Sequence, residues 1–134
     1  MNFQIKTFLA LERGNHVIAI IGGAVPVRGL DHIFNKVIDE TRRLLDCKIL
    51  IDFQDSILKI LPSDILEFVE SIEPETWPHN NKVALVSAPE IEQYQQLAML
   101  GEGLIKQSLN VEVFYDMKEA ISWLSNIRYP FING

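Results

Sequence analysis

The side chains able to do chemistry in this sequence are few and scattered. Its histidines, His16, His32 and His79, lie far apart in the chain. Imidazole serves as a metal ligand or a general base, but a zinc site repeats His or Cys at short spacing, and none of the three has such a neighbour. No Gly-x-Ser-x-Gly elbow is present to support a Ser–His–Asp arrangement. Asp52 falls near the end of the apolar run Lys48-Ile49-Leu50-Ile51-Asp52-Phe53, where a phosphoacceptor aspartate could stand. That chemistry needs magnesium held by a second acidic cluster, and the corresponding strand ends in Ile21-Gly22-Gly23. Gly22-Gly23 with Gly29 has neither the spacing of a phosphate loop nor its Lys-Ser/Thr ending. The single cysteine, Cys47, excludes an internal disulfide and a four-cysteine metal centre, and reads as a small buried hydrophobe. The sequence predicts no catalytic residue, no metal site and no cofactor.

Composition narrows the partners. A length of 134 residues with 48% hydrophobic side chains is enough for one buried core, so residues 1–134 are expected to form a single domain. The net charge of -6, with dispersed cations, argues against nucleic acid, because phosphate binding needs clustered Lys and Arg. The tightest basic spot, Arg42-Arg43, is surrounded by Asp39, Glu40 and Asp46 and reads as a solvated, ion-paired helix face. No apolar run is long enough to cross a bilayer, and Phe8-Leu9-Ala10-Leu11 is too short for a signal-peptide core. The expectation is a soluble, cytoplasmic protein with no membrane insertion.

The elements that position these groups follow from hydrophobic period. Ile5, Thr7, Leu9 and Leu11 alternate with polar neighbours, which predicts a half-exposed strand near residues 3–13. The turn Arg13-Gly14-Asn15-His16 joins it to Val17-Ile18-Ala19-Ile20-Ile21, a continuous apolar run expected to be covered on both faces and to pair antiparallel with the first. Gly22-Gly23 is read as the end of that strand. Leu30, Ile33, Phe34, Val37, Ile38, Thr41, Leu44 and Leu45 recur at helical spacing. A buried strand at 48–53 follows, then a loop, then a short helix marked by Ile65, Phe68, Val69 and Ile72 with Ser63 or Asp64 as its N-cap. After Pro74 and Pro78 come the strand 82–87 and a helix with Ile91, Tyr94, Leu97, Ala98, Gly101, Leu104, Ile105 and Ser108 inward. The strand Val111-Glu112-Val113-Phe114-Tyr115-Asp116 and a short amphipathic helix close the pattern. Gly101 lies on the apolar stripe, where close approach to the sheet would suit it; Gly103 lies off the stripe. The order ββαβαβαβα predicts an α/β fold whose later strands are parallel through right-handed crossovers.

That order resembles the STAS fold (the sulfate transporter and anti-sigma factor antagonist domain), and more closely the stage-II-sporulation-AA-like family, whose fold is also compared with Sec14-type lipid carriers. The residues that carry the resemblance are Lys48-Ile49-Leu50-Ile51-Asp52-Phe53, Lys82-Val83-Ala84-Leu85-Val86 and Val113-Phe114-Tyr115-Asp116 with Glu119-Ala120-Ile121-Ser122-Trp123-Leu124. It implies a STAS-like, mixed, mostly parallel five-stranded sheet packed with helices, and a non-catalytic module that acts through protein–protein interaction. In antagonists of this kind a kinase phosphorylates a serine at the start of the helix after the third strand, and the phosphate disrupts docking. Ser63 occupies the matching place, and Ser56 lies in the same predicted loop. The antagonist pattern is of the Asp-Ser-Ser-Gly type, whereas this chain reads Leu61-Pro62-Ser63-Asp64-Ile65, without the glycine and with an acid beside the serine. Ser63 is thus either a plain cap or a regulated site.

The carrier comparison implies a second reading, a small hydrophobic or lipid-like ligand, with Tyr94, Met99, Leu100, Leu104 and Leu109 lining a pocket. Their alternative role is core packing and self-association. The tail Arg128-Tyr129-Pro130-Phe131-Ile132-Asn133-Gly134 is apolar enough to need cover on its own domain or on a second copy.

Overall fold

A computed structural model gives the architecture. It describes residues 3–11, 16–42, 47–73 and 81–124. The predicted 13–15 turn, Leu44, Leu45, Pro74, Pro78, His79 and the tail lie outside the described residues. The elements are β1 (Gln4–Leu11), β2 (His16–Val25), α1 (Val27–Thr41), β3 (Lys48–Leu58), α2 (Pro62–Ser71), β4 (Lys82–Val86), α3 (Ile91–Lys106), β5 (Asn110–Phe114) and α4 (Met117–Leu124). The five strands lie in the simple order β1-β2-β3-β4-β5. β1 pairs antiparallel with β2, and every later pair is parallel.

One layer of helices and one short helix sandwich this sheet. Val17, Ala19 and Ile21 face the side covered by α1, α2 and α3, together with Ile49, Ile51, Val83 and Leu85. Ile18, Ile20, Leu50, Ala84 and Val86 face the other side, with Met117, Ala120 and Leu124 of α4. Burial on both faces is why these strands are continuous apolar runs instead of alternating ones. Successive right-handed crossovers between adjacent strands put their helices on one face.

Three of the expected element patterns need correction, the first two because of contacts across the chain. The alternation in β1 changes parity at an irregularity between Ile5 and Thr7, so Ile5 pairs with Ile21 while Thr7 pairs with Ile20. Phe3, Ile5 and Phe8 therefore pack towards the helices, and Leu9 packs on the α4 side. Gly22-Gly23 does not end β2, which runs on to Val25 beside an extended β3. A Cβ on Gly22 would stand 2.6 Å from Lys6 Cδ, and Gly23 has φ 85, a conformation glycine adopts without steric penalty. The pair therefore serves the irregular stretch between β1 and β3. In α3, Ile91 and Ile105 are exposed, and Ser108 lies beyond the helix with φ 69. There the amide of Leu109 donates to Leu104 O and that of Ser108 to Ile105 O, closing the helix by a left-handed turn.

The glycines of α3 set its packing. A Cβ on Gly101 would approach Val113 Cγ2 to 2.8 Å, the close approach to the sheet that its stripe position suggested. A Cβ on Gly103 would meet Val69 Cγ2 at 2.8 Å, so this glycine lets α2 and α3 touch.

Candidate functional site

The start of α2 is built by backbone chemistry around Leu61. Leu61 is extended, with φ -91 and ψ 157, and Pro62 opens the helix at its first position, where a missing N–H is harmless. The amide of Leu61 donates to Asp64 Oδ2 at 3.0 Å, and the amide of Ile65 donates to Leu61 O at 3.1 Å. Leucine has no side-chain acceptor, so only the reverse half of a capping box is present. The N-cap is therefore Leu61, not Ser63 or Asp64. Ser63 is the second residue of the helix and exposed.

Ser56 is displaced from its predicted setting. β3 continues past Phe53, and a bulge of Phe53 and Gln54 opposite Ile21 carries it to Leu58. Ser56 is thus a strand residue only 3% exposed, and its hydroxyl donates to Phe53 O at 2.9 Å. Asp52, also buried, accepts from the amide of Gln54 at 2.9 Å. Both side chains satisfy backbone groups that the bulge leaves unpaired, and Ser56 is withdrawn from solvent.

Two contacts invisible in the sequence fix α2 and α3 relative to the sheet. The amide of Leu58 donates to Gln93 Oε1 at 2.7 Å, tying the end of β3 to the first turns of α3. The Val69–Gly103 approach then sets the two helices side by side. Leu66 lies three residues before Val69, and Met99 four before Gly103. Both helices run the same way over a parallel sheet, so helical spacing places Leu66 and Met99 one turn nearer the helix starts, on the same side of that contact. Neither is covered: Leu61 is 65%, Leu66 60% and Met99 43% exposed. Ser63 stands within this surface, one helical turn before Leu66. The adjoining polar rim is acidic, with Asp64, Glu67 and Glu70 on α2 and Glu92 on α3.

The residues proposed to line a ligand pocket do not converge. Leu100 and Leu104 are fully buried and Leu109 is 7% exposed, all three in the main core. Tyr94 stacks on Tyr115 with ring centroids 4.1 Å apart, and Met99 faces outward.

The remaining titratable groups are dispersed. His16 begins β2, and burial together with the charge of Lys48 lowers its pKa from 6.5. His32 sits on α1 beside the Phe3 ring. Burial raises the Cys47 thiol to about 11, which keeps it protonated and unreactive at neutral pH. The amide of Cys47 donates to Asn81 Oδ1 at 2.6 Å, a long-range role for Asn81 that nothing in the sequence marked. Among the described residues no group of three His, Cys, Asp or Glu side chains is placed to hold a metal. Nor is any described helix long and apolar enough to cross a membrane.

No protein-family model matches the chain, and no curated protein matches it. Solved structures do. A candidate anti-sigma factor antagonist from Thermotoga maritima superposes with a TM-score of 0.52 at 20% identity, covering 88% of this chain and 92% of its own. The anti-sigma factor antagonist SpoIIAA in its unphosphorylated form gives 0.51 at 15% identity, covering 94% of this chain and 100% of its own. The chain has the STAS-like α/β fold: a five-stranded mixed sheet with four helices.

Proposed function

We propose that this chain is a non-catalytic, cytoplasmic regulatory module that works by binding a protein partner through the surface of Leu61, Ser63, Leu66 and Met99. The observation that carries this reading is the exposure of Leu61 at 65% and Leu66 at 60% on either side of Ser63. Large apolar side chains grouped on a surface and rimmed by polar residues mark interaction sites. The two similar folds, both described as anti-sigma factor antagonists, favour the same class of function. Ser63 is the control point of the proposal. Its hydroxyl is exposed at the positive end of α2, where a phosphoryl group would find the helix dipole but also Asp64 and Glu67. Placed in an apolar contact, such a charge would have to be desolvated and would weaken docking.

Affinity capture from native lysate tests the reading. Immobilised wild-type protein and Ser63→Ala should retain the same partner, Leu66→Asp should lose it, and Ser63→Glu should retain less. Identical capture by wild type and Leu66→Asp would remove this surface from the account. Equal retention by Ser63→Glu would leave the surface and remove the switch.

A further inference from the structure

We propose that the outer edge of β1, with the ridge of α1 beside it, binds an extended acidic segment of a partner protein as an added strand. Three observations converge there. β1 is the end of the sheet, paired only with β2 among the described residues, so half of its backbone groups face away from the ladder. Beside it runs a groove of about 480 Å³ lined by Phe3, Gln4, Ile5, Phe8, His32 and Lys36. The wall of that groove carries His32 and Lys36, and Arg28 continues their ridge of α1 at four-residue spacing, all three exposed.

The charge of this ridge is what selects the occupant. The whole chain carries -6, so the cations Arg28 and Lys36, with His32 between them, run against the overall field. Lys36 Nζ lies 4.7 Å from the centre of the Phe8 ring, and His32 meets Phe3 edge-on at 6.0 Å between centroids. Lys6 reaches towards Asp55, its Nζ 3.0 Å from Oδ2. β1 pairs with β2 on both sides of the irregularity at Lys6, at residues 4–5 and along the longer run 7–11. A strand added along that run projects alternate side chains over the α1 face. A glutamate there rests its methylenes on Phe8 and presents its carboxylate to Lys36; a lysine would meet like charge.

A short fluorescent peptide of alternating glutamate and valine is the probe, with its lysine–valine counterpart and a copy N-methylated at alternate amides as controls. Anisotropy should show the glutamate peptide binding and the other two failing, with affinity falling as salt rises. Lys36→Glu, an exposed change, should weaken binding roughly five- to tenfold, since an attraction becomes a repulsion. Amide shifts should gather in β1 and α1, away from Ser63 and Leu66, which separates this site from the one proposed above. Equal binding of both charged peptides, or no effect of Lys36→Glu, would overturn the proposal. So would retention of wild type but not Lys36→Glu by vesicles of phosphatidylserine and phosphatidylcholine, or salt-sensitive self-association lost in the same variant.

Discussion

Adding one methyl group at Gly103 probes the contact that creates the exposed surface. In isolation Gly→Ala within a helix is favourable by about 1 kcal/mol. Here the new Cβ would lie 2.8 Å from Val69 Cγ2, 3.2 Å from Cγ1 and 3.4 Å from Cβ. Carbon atoms pack best at roughly 3.5–4.0 Å, so the first two contacts are repulsive. Valine in a helix has one strongly preferred rotamer, which leaves Val69 little freedom to turn aside. Overpacking of this kind costs about 1–3 kcal/mol, enough to offset the helical gain and leave a net loss of up to about 2 kcal/mol. Val69→Ala should be destabilising alone, because Val69 is 5% exposed in the main core. Combined with Gly103→Ala it should be better than the sum by about 1 kcal/mol or more, since the new methyl then fills the vacated space. Urea unfolding of the four proteins measures this. If Gly103→Ala is more stable than wild type by the full helical increment, α2 and α3 do not touch there, and Leu66 and Met99 need not share one side of the helix pair.

Other consequences follow from the same geometry. Asp64→Ala should cost about 0.5–2 kcal/mol, because the amide of Leu61 loses its acceptor, whereas Ser63→Ala should leave the unfolding midpoint unchanged. Leu124→Ala should cost about 2–5 kcal/mol in the same assay, since Leu124 is fully buried and an eight-residue helix survives only by docking; a shift no larger than that of a surface control would contradict the placement of α4. The lowered pKa of His16 makes the unfolded chain the better proton binder. Its contribution is complete above pH 6.5 and is lost as pH falls towards the folded-state value, so His16→Gln should flatten the decline in stability below pH 6.5. Parallel slopes for the two proteins would mean that His16 is not buried.

What was readable in the sequence was whatever one strand or helix determines locally. Period together with turn residues placed the elements, though not the extensions of β2 to Val25 and β3 to Leu58, and the apolar runs of β2, β3 and β4 announced burial on both faces. The same stripe of Ile65, Phe68, Val69 and Ile72 left Leu66 as an apolar residue off the core face, but its relation to Met99 becomes visible only once Val69 meets Gly103. The cap of α2 falls before Ser63 and Asp64 for a local reason: Ser and Asp are favoured caps, but the preference of Pro62 for the first helical position puts the cap at Leu61. Gly22-Gly23 looked like punctuation, while its role depends on Lys6 and on a bulge in β3. The bonds from Leu58 to Gln93 and from Cys47 to Asn81 join residues more than 30 positions apart, beyond the reach of any local pattern. The polarity of Gln54-Asp55-Ser56 suggests a loop, whereas the bulge that buries Ser56 is a property of the paired strands.

The central claim is that the surface around Ser63 is where a partner docks, and site-specific photo-cross-linking tests it most directly. A photoreactive phenylalanine analogue is placed at Leu61, at Leu66 and, as a control, at the exposed Glu102 of α3, and each protein is irradiated in native lysate. The account predicts one discrete adduct, the same from Leu61 and Leu66, absent from Glu102 and diminished when Ser63→Glu is added. Adducts of equal yield from all three positions, or a discrete adduct from Glu102 alone, would contradict it.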